Sequence, residues 1–454
     1  MSTRRNSTGR RLAAVLAVGL LWLLALAPQV GAASVSFGTA SATSTFGKGI
    51  VFTQPISGST FTEADIVMSL PGDIGPSVVK LKTPGSPLTF TFDTSGAEIQ
   101  PNTPVSAHFR VIFADGTMQQ GNDIKITYVD DRFHWQTLAG KLVTLHWYNG
   151  DAAFAQQALT MGENGISKSA QFLGVNETKP MDFFVYADQQ PFYDVLGPGT
   201  RDNVGGRAYS NIRTLFAQFT PADMSYARTV VPHELTHIVF ADGTDNPYHS
   251  PPTWLNEGLA VYLSQGFDNS DKSLVSQAVK SKTLMPLPAL TGMFPTSADR
   301  FFLAYAESVS AVDFMVRKYG PAPFQKLVKT YSTGASDDEA FSAAFGVDTA
   351  TVNKGWLADN GITSTPTYGP QAAPPGPVPP GWTGPGGPQS SPGAAQPTAG
   401  SAAGTSGPGF GSGSGDDRSQ TGLVIAAIMA LAGFGLLCFA AVTHISGRDA
   451  QPHL

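Results

Sequence analysis

The spacing of apolar residues changes once along this chain, and that change limits what it can fold into. Between Ser34 and about Asp131 the spacing is two. Ala107, Phe109, Val111 and Phe113 alternate with His108, Arg110 and Ile112, Asp115-Gly116 offers a hairpin turn, and Ile124, Ile126 and Tyr128 repeat the alternation. Ile50–Thr53, Ile66–Ser69, Val78–Leu81 and Leu88–Phe92 extend the series, with Pro and Gly turns between them. Short strands at this spacing predict an all-β sandwich (Ig-like) over residues 34–135. From about Lys141 the spacing turns helical. Asp151–Phe172 reads as a helix, Met181–Tyr186 and Arg213–Phe219 read as strands, and helices continue to about Asn360. Strand pairing followed by helices predicts an α+β domain over residues 136–361 whose sheet comes first.

Both ends of the chain lack this patterning. Arg4, Arg5, Arg10 and Arg11 precede an apolar run from Leu12 to Ala27, and small residues Gly31, Ala32 and Ala33 follow, the pattern of a secretory signal peptide over residues 1–33. An uncleaved N-terminal anchor is the alternative. Gly361 to Gly415 contains no charge and is dominated by Pro, Gly, Ser, Thr and Ala. Such a composition buries too little apolar surface to offset its ordering entropy, so residues 362–421 are expected to form a disordered stalk. Residues 422–443 are apolar and long enough to cross a bilayer core of roughly 30 Å, and 444–454 would form a cytoplasmic tail. Charges flank the span sparsely, with Asp416, Asp417 and Arg418 on one side and Arg448 on the other, so the signal peptide sets the orientation. The expected location is the cell membrane, single-pass, with both folded units outside.

A net charge of -6 with no long Lys/Arg run argues against nucleic acid as a partner. One cysteine, Cys438, excludes an intramolecular disulfide and a Cys-based zinc site, so a metal must be held by His, Asp or Glu.

The residues with the most chemical content are His233-Glu234-Leu235-Thr236-His237. Positions four apart share a helix face, so His233 and His237 can present two imidazoles to one ion, while Glu234 is rotated by about 100° and free to act on water. A catalytic zinc needs a third protein donor. Glu257, in Trp254-Leu255-Asn256-Glu257-Gly258, is the candidate, brought back on a second helix after a turn through Asn246–Pro252. Asp242 lies off the ligand face. Asn256 is placed to orient a ligand. Pro232 lacks a backbone donor, which favours a helix start near Val230 or Val231, with Thr220 and Pro221 opening a separate helical stretch.

Val230 to His237 followed by Trp254-Leu255-Asn256-Glu257-Gly258-Leu259-Ala260 resembles the gluzincin zinc metallopeptidases of the peptidase MA clan. The resemblance is closest to membrane-anchored bacterial peptidase MA-like proteins, with the thermolysin and aminopeptidase N families as further relatives. It implies that His233, His237 and Glu257 bind Zn2+ and that Glu234 is general base and then acid. It also implies a catalytic role for Tyr305, since Tyr305-Ala306-Glu307-Ser308-Val309 is similar to the segment that carries an oxyanion-binding tyrosine in aminopeptidase N-like enzymes. Phe301, Tyr305, Val312 and Met315 equally form a helical core stripe, and His249 and Tyr248 are competing donors. The family's glycine-bearing motif, whose glutamate grips a substrate α-amine, is not visible; Gly205-Gly206-Arg207-Ala208-Tyr209 stands near its place, which argues against an aminopeptidase. The expectation is a membrane-anchored extracellular zinc peptidase acting on peptides or proteins. The alternative is a surface-anchored binding or adhesion protein in which the sandwich, whose partner is open, does the work on a peptidase-like scaffold.

Overall fold

The computed structural model describes residues 33–82, 84–198 and 204–363. Apart from Ala33, Ile362 and Thr363, the signal peptide, stalk, span and tail expected from the sequence lie outside these residues. Among the described residues no helix is long and apolar enough to cross a membrane. The chain divides into two compact units, one ending at Val129 and one starting at Asp130, with the loop 96–102 counted in the second. The division precedes residue 135 because Asp130 accepts from the Tyr186 hydroxyl at 2.9 Å and pairs with Arg132, which also holds Asp194.

The first unit holds β1 (Val35–Phe37), β2 (Ser41–Thr45), β3 (Gly49–Gln54), β4 (Ile56–Gly58), β5 (Glu63–Ser69), β6 (Ser77–Lys80), β7 (Leu88–Asp93), β8 (Pro104–Ile112), β9 (Met118–Gln120) and β10 (Ile124–Thr127). They form antiparallel sheets in the orders β10-β8-β5-β6, with β9 on β8, and β2-β3-β7, plus the pair β1-β4. Alternate residues bury one face: Val105, Ala107, Phe109 and Val111 on β8, Ile50 and Phe52 on β3.

The second unit begins with β11 (Gln136–Ala139) and β12 (Val143–Trp147), then α1 (Ala152–Leu173), β13 (Met181–Tyr186), α2 (Gln189–Leu196), β14 (Gly206–Tyr209) and β15 (Thr214–Gln218). The sheet order is β11-β12-β13-β15-β14, parallel through β12, β13 and β15 and antiparallel at both outer strands. Parallel strands need a crossover, and α1, the helix expected at Asp151–Phe172, supplies it between β12 and β13. Asp151 caps α1 by accepting from Phe154 N at 2.8 Å, and Gly174 ends it at φ 69°, a left-handed cap that glycine adopts without strain. Then follow α3 (Met224–Thr244), α4 (Thr253–Ser264), α5 (Asn269–Ser281), α6 (Ala298–Tyr319), α7 (Ala322–Tyr331), α8 (Asp337–Phe345) and α9 (Thr349–Asp359).

The expected helix start near Val230 is corrected by the structure: α3 runs unbroken from Met224 to Thr244 with Pro232 inside it. The separate stretch before it exists as a 3-10 turn, Pro221–Asp223, closed by a capping box between Thr220 and Asp223. An internal proline costs about 3 kcal/mol. Val230, Val231, Leu235, Ile238 and Val239 are all fully buried, and each contributes about 1.5–3 kcal/mol, so packing outweighs the lost hydrogen bond. Gly165 of α1 makes room for the proline: a Cβ there would lie 3.0 Å from Pro232 Cα.

Candidate metal centre

His233, Glu234 and His237 on α3 and Glu257 on α4 are 0, 2, 5 and 1% exposed. The two imidazole Nε2 atoms lie 3.0 Å apart, and Glu257 Oε2 is 3.5 Å from each. A tetrahedral zinc with bonds of about 2.0–2.1 Å separates its ligand atoms by about 3.3 Å, so the three donors fit that ion without rearrangement. Glu257 Oε2 is a buried oxygen with no hydrogen-bond partner in the protein, as expected of an atom kept for a cation. Among the described residues these three are the one His/Cys/Asp/Glu group that could hold a metal.

Two further contacts set the ligands. His237 Nδ1 donates to Asn256 Oδ1 at 2.9 Å, which orients the ring and leaves Nε2 as the nitrogen that faces Glu257. Thr236 turns its hydroxyl back to Pro232 O at 2.8 Å and meets Ser169 Oγ at 2.7 Å, tying the ligand helix to α1. Burial drives His233 toward the neutral ring that a metal requires. Burial acts the same way on His237 but is overcome by the Glu257 carboxylate, which raises it. Burial would also raise Glu257, yet the charges of the His237 and His233 rings, 3.5 Å away, hold it low and ionised.

Glu234 is set apart from the three donors. Its Oε2 accepts the backbone N–H of Ala208 at 2.9 Å, and its Oε1 is buried without a partner. Burial pushes its pKa up to about 7, opposed by His237 and by the Ala208 bond, so the group exchanges a proton near neutrality. The β14 segment can come this close because it begins with glycines: a Cβ on Gly206 would lie 2.9 Å from Glu234 Cγ, and one on Gly205 would overlap the Tyr226 hydroxyl. The role of Ala208 was not legible from the sequence, although the paired glycines beside it were its signal.

The remaining sequence candidates separate. Tyr305 lies on α6, 2% exposed, with its ring 5.2 Å from both Phe294 and Phe301. His249 is drawn away to Asp337, at 2.8 Å, and stacks on Tyr331. Tyr248 is 81% exposed. Asp242 pairs with Arg213 and is no part of the donor group.

Residues 161–360 match the family model of the Peptidase MA superfamily. None of the curated proteins compared matches the chain. Similar solved structures include an M1 zinc metallopeptidase from Deinococcus radiodurans, 13% identical over 76% of this chain and 98% of that one, with a TM-score of 0.35. Another is an aminopeptidase N family protein from Idiomarina loihiensis, 12% identical over 72% of this chain and 61% of that one, with a TM-score of 0.36. The family match takes in the donor triad, and together they support a gluzincin-type site, similar to those of the Peptidase MA superfamily, within residues 161–360.

Proposed function

We propose that this protein is a membrane-anchored, extracellular zinc peptidase that hydrolyses peptide bonds with Glu234 as proton carrier. One observation supports the reading above all: His233, His237 and Glu257 converge on one point while Glu234, one residue from a ligand, is held off it by Ala208. Zinc held by the three donors would acidify water and polarise a scissile carbonyl. Glu234 takes the water proton on its unpartnered Oε1 and returns it to the leaving amine, while the Ala208 N–H keeps Oε2 in place. Asn256 holds the His237 ring in its ligating orientation. Tyr305 is assigned as the donor to the oxyanion: it shares a helix face with Ser308, whose carbonyl packs against Gly258 beside Glu257. The signal-peptide pattern and the apolar run at 422–443 support the location.

The test is a comparison of metal content and turnover. Wild type should carry about one zinc per chain. Glu234→Gln should keep that zinc and lose peptide hydrolysis by about 100-fold or more. Near-wild-type turnover in Glu234→Gln, or wild-type protein without affinity for zinc, would overturn the reading.

A further inference from the structure

Two donors on β14 lack an acceptor. The Tyr209 side chain is 8% exposed, and its hydroxyl is shut off from solvent with no hydrogen-bond partner in the protein; Arg207 Nε is in the same condition. Strand alternation sets both side chains on one face, and the Arg207 guanidinium lies over the Tyr209 ring, 5.1 Å from its centroid. Burial pushes the Tyr209 phenol up to about 12, so it keeps its proton and remains a donor at neutral pH. A buried donor without an acceptor is unfavourable, and the group that satisfies a guanidinium and a phenol together is a carboxylate.

The pair sits beside the reacting centre. Ala208, between the two, sends its N–H to Glu234 off the open side of β14, which is an outer strand of its sheet. Arg207 and Tyr209 are both within electrostatic reach of Glu234. β14 itself carries no acidic residue, so its charge suits an anion and repels an amine.

We infer that Arg207 and Tyr209 form a subsite for a carboxylate of the peptide substrate, next to the bond that is cut. This rests on the reading of the centre as a peptidase. The carboxylate belongs either to an Asp or Glu side chain or to the substrate's C-terminus.

The experiment uses the full-length protein with zinc and matched fluorogenic peptides that differ at one residue near the cleaved bond, Asp, Asn or Lys, each with a free or amidated C-terminus. A peptide that supplies the carboxylate should have a kcat/KM about 10- to 100-fold above its neutral analogue. Arg207→Gln should narrow that gap to about twofold, Arg207→Glu should turn the preference toward Lys, and Tyr209→Phe should narrow the gap by about three- to tenfold. Loss of the gap on amidation identifies the terminal carboxylate, and its survival identifies the side chain. A gap absent in wild type, or unaltered in Arg207→Gln, overturns the subsite and leaves the peptidase reading standing. Anisotropy measurements of the same peptides on Glu234→Gln protein separate the two claims. Arg207-dependent binding of the acidic peptide without hydrolysis by wild type would keep the subsite and overturn the peptidase. Neither binding nor cleavage would overturn both.

Discussion

Gly258 follows the third donor and lies where α4 crosses α6, so an alanine there tests the packing that places Glu257. A Cβ at this position would stand 2.5 Å from Ser308 O, 2.8 Å from Ser308 C and 2.9 Å from Val312 Cγ2. Ordinary carbon contacts are about 3.5–4.0 Å, so the two helices must part by about 1 Å, and the backbone carbonyl cannot rotate aside. Overpacking against backbone costs about 3 kcal/mol, at the upper end of the usual range. Alanine returns about 1 kcal/mol of helix propensity. The net loss is about 2 kcal/mol, equal to roughly 4–8 °C in Tm for a unit of this size. The displacement also moves Glu257 away from His233 and His237, so zinc affinity should fall by about tenfold or more. Denaturant titration with chelator present reads the fold alone, and competition with a zinc chelator reads the site. Gly292→Ala is the control, since a Cβ there meets nothing within 4 Å. Gly258→Ala protein as stable as wild type would refute the close crossing. A destabilised variant with wild-type zinc affinity would refute the link between that crossing and the donor geometry.

Asp271 is buried at 5% exposure, and burial together with the Asp268 charge raises its pKa to about 7. An unfolded aspartate loses its proton near 3.9, so the unfolded chain ionises first and stability falls as pH rises from about 4 to 7. Asp271→Asn should therefore add about 2–4 kcal/mol at pH 8 and clearly less at pH 5; equal gains at both pH values would remove the argument. Tyr305→Phe should lower kcat by about 10- to 1,000-fold with KM and zinc content little changed, and unaltered kcat would move the oxyanion donor elsewhere. Protease added to intact cells should release a folded fragment ending in the uncharged stretch 361–415, whereas protection until lysis would reverse the proposed orientation.

What could be read without coordinates is what short-range geometry dictates. The helix expected at Asp151–Phe172 is found at Ala152–Leu173 with Asp151 as its cap, and the strand expected at Met181–Tyr186 has those limits, because period and capping act over a few residues. The i, i+4 pair of the donor triad was legible for the same reason, since it sets two imidazoles on one face, and Glu257 was picked out by a turn that lets a second helix bring its carboxylate back. Tertiary packing decided the rest. Pro232 signals a helix boundary locally, yet α3 continues through it because five buried aliphatic side chains outweigh one missing hydrogen bond. Ala208 reaches Glu234 from 26 positions away, through a strand whose place in the sheet depends on β15, and no local pattern encodes that pairing. His249 looked as suitable a donor as Tyr305 until α8 took it with Asp337, 88 positions on. Spacing along the chain settles which atoms share a face; which face meets which is settled only when the whole core closes.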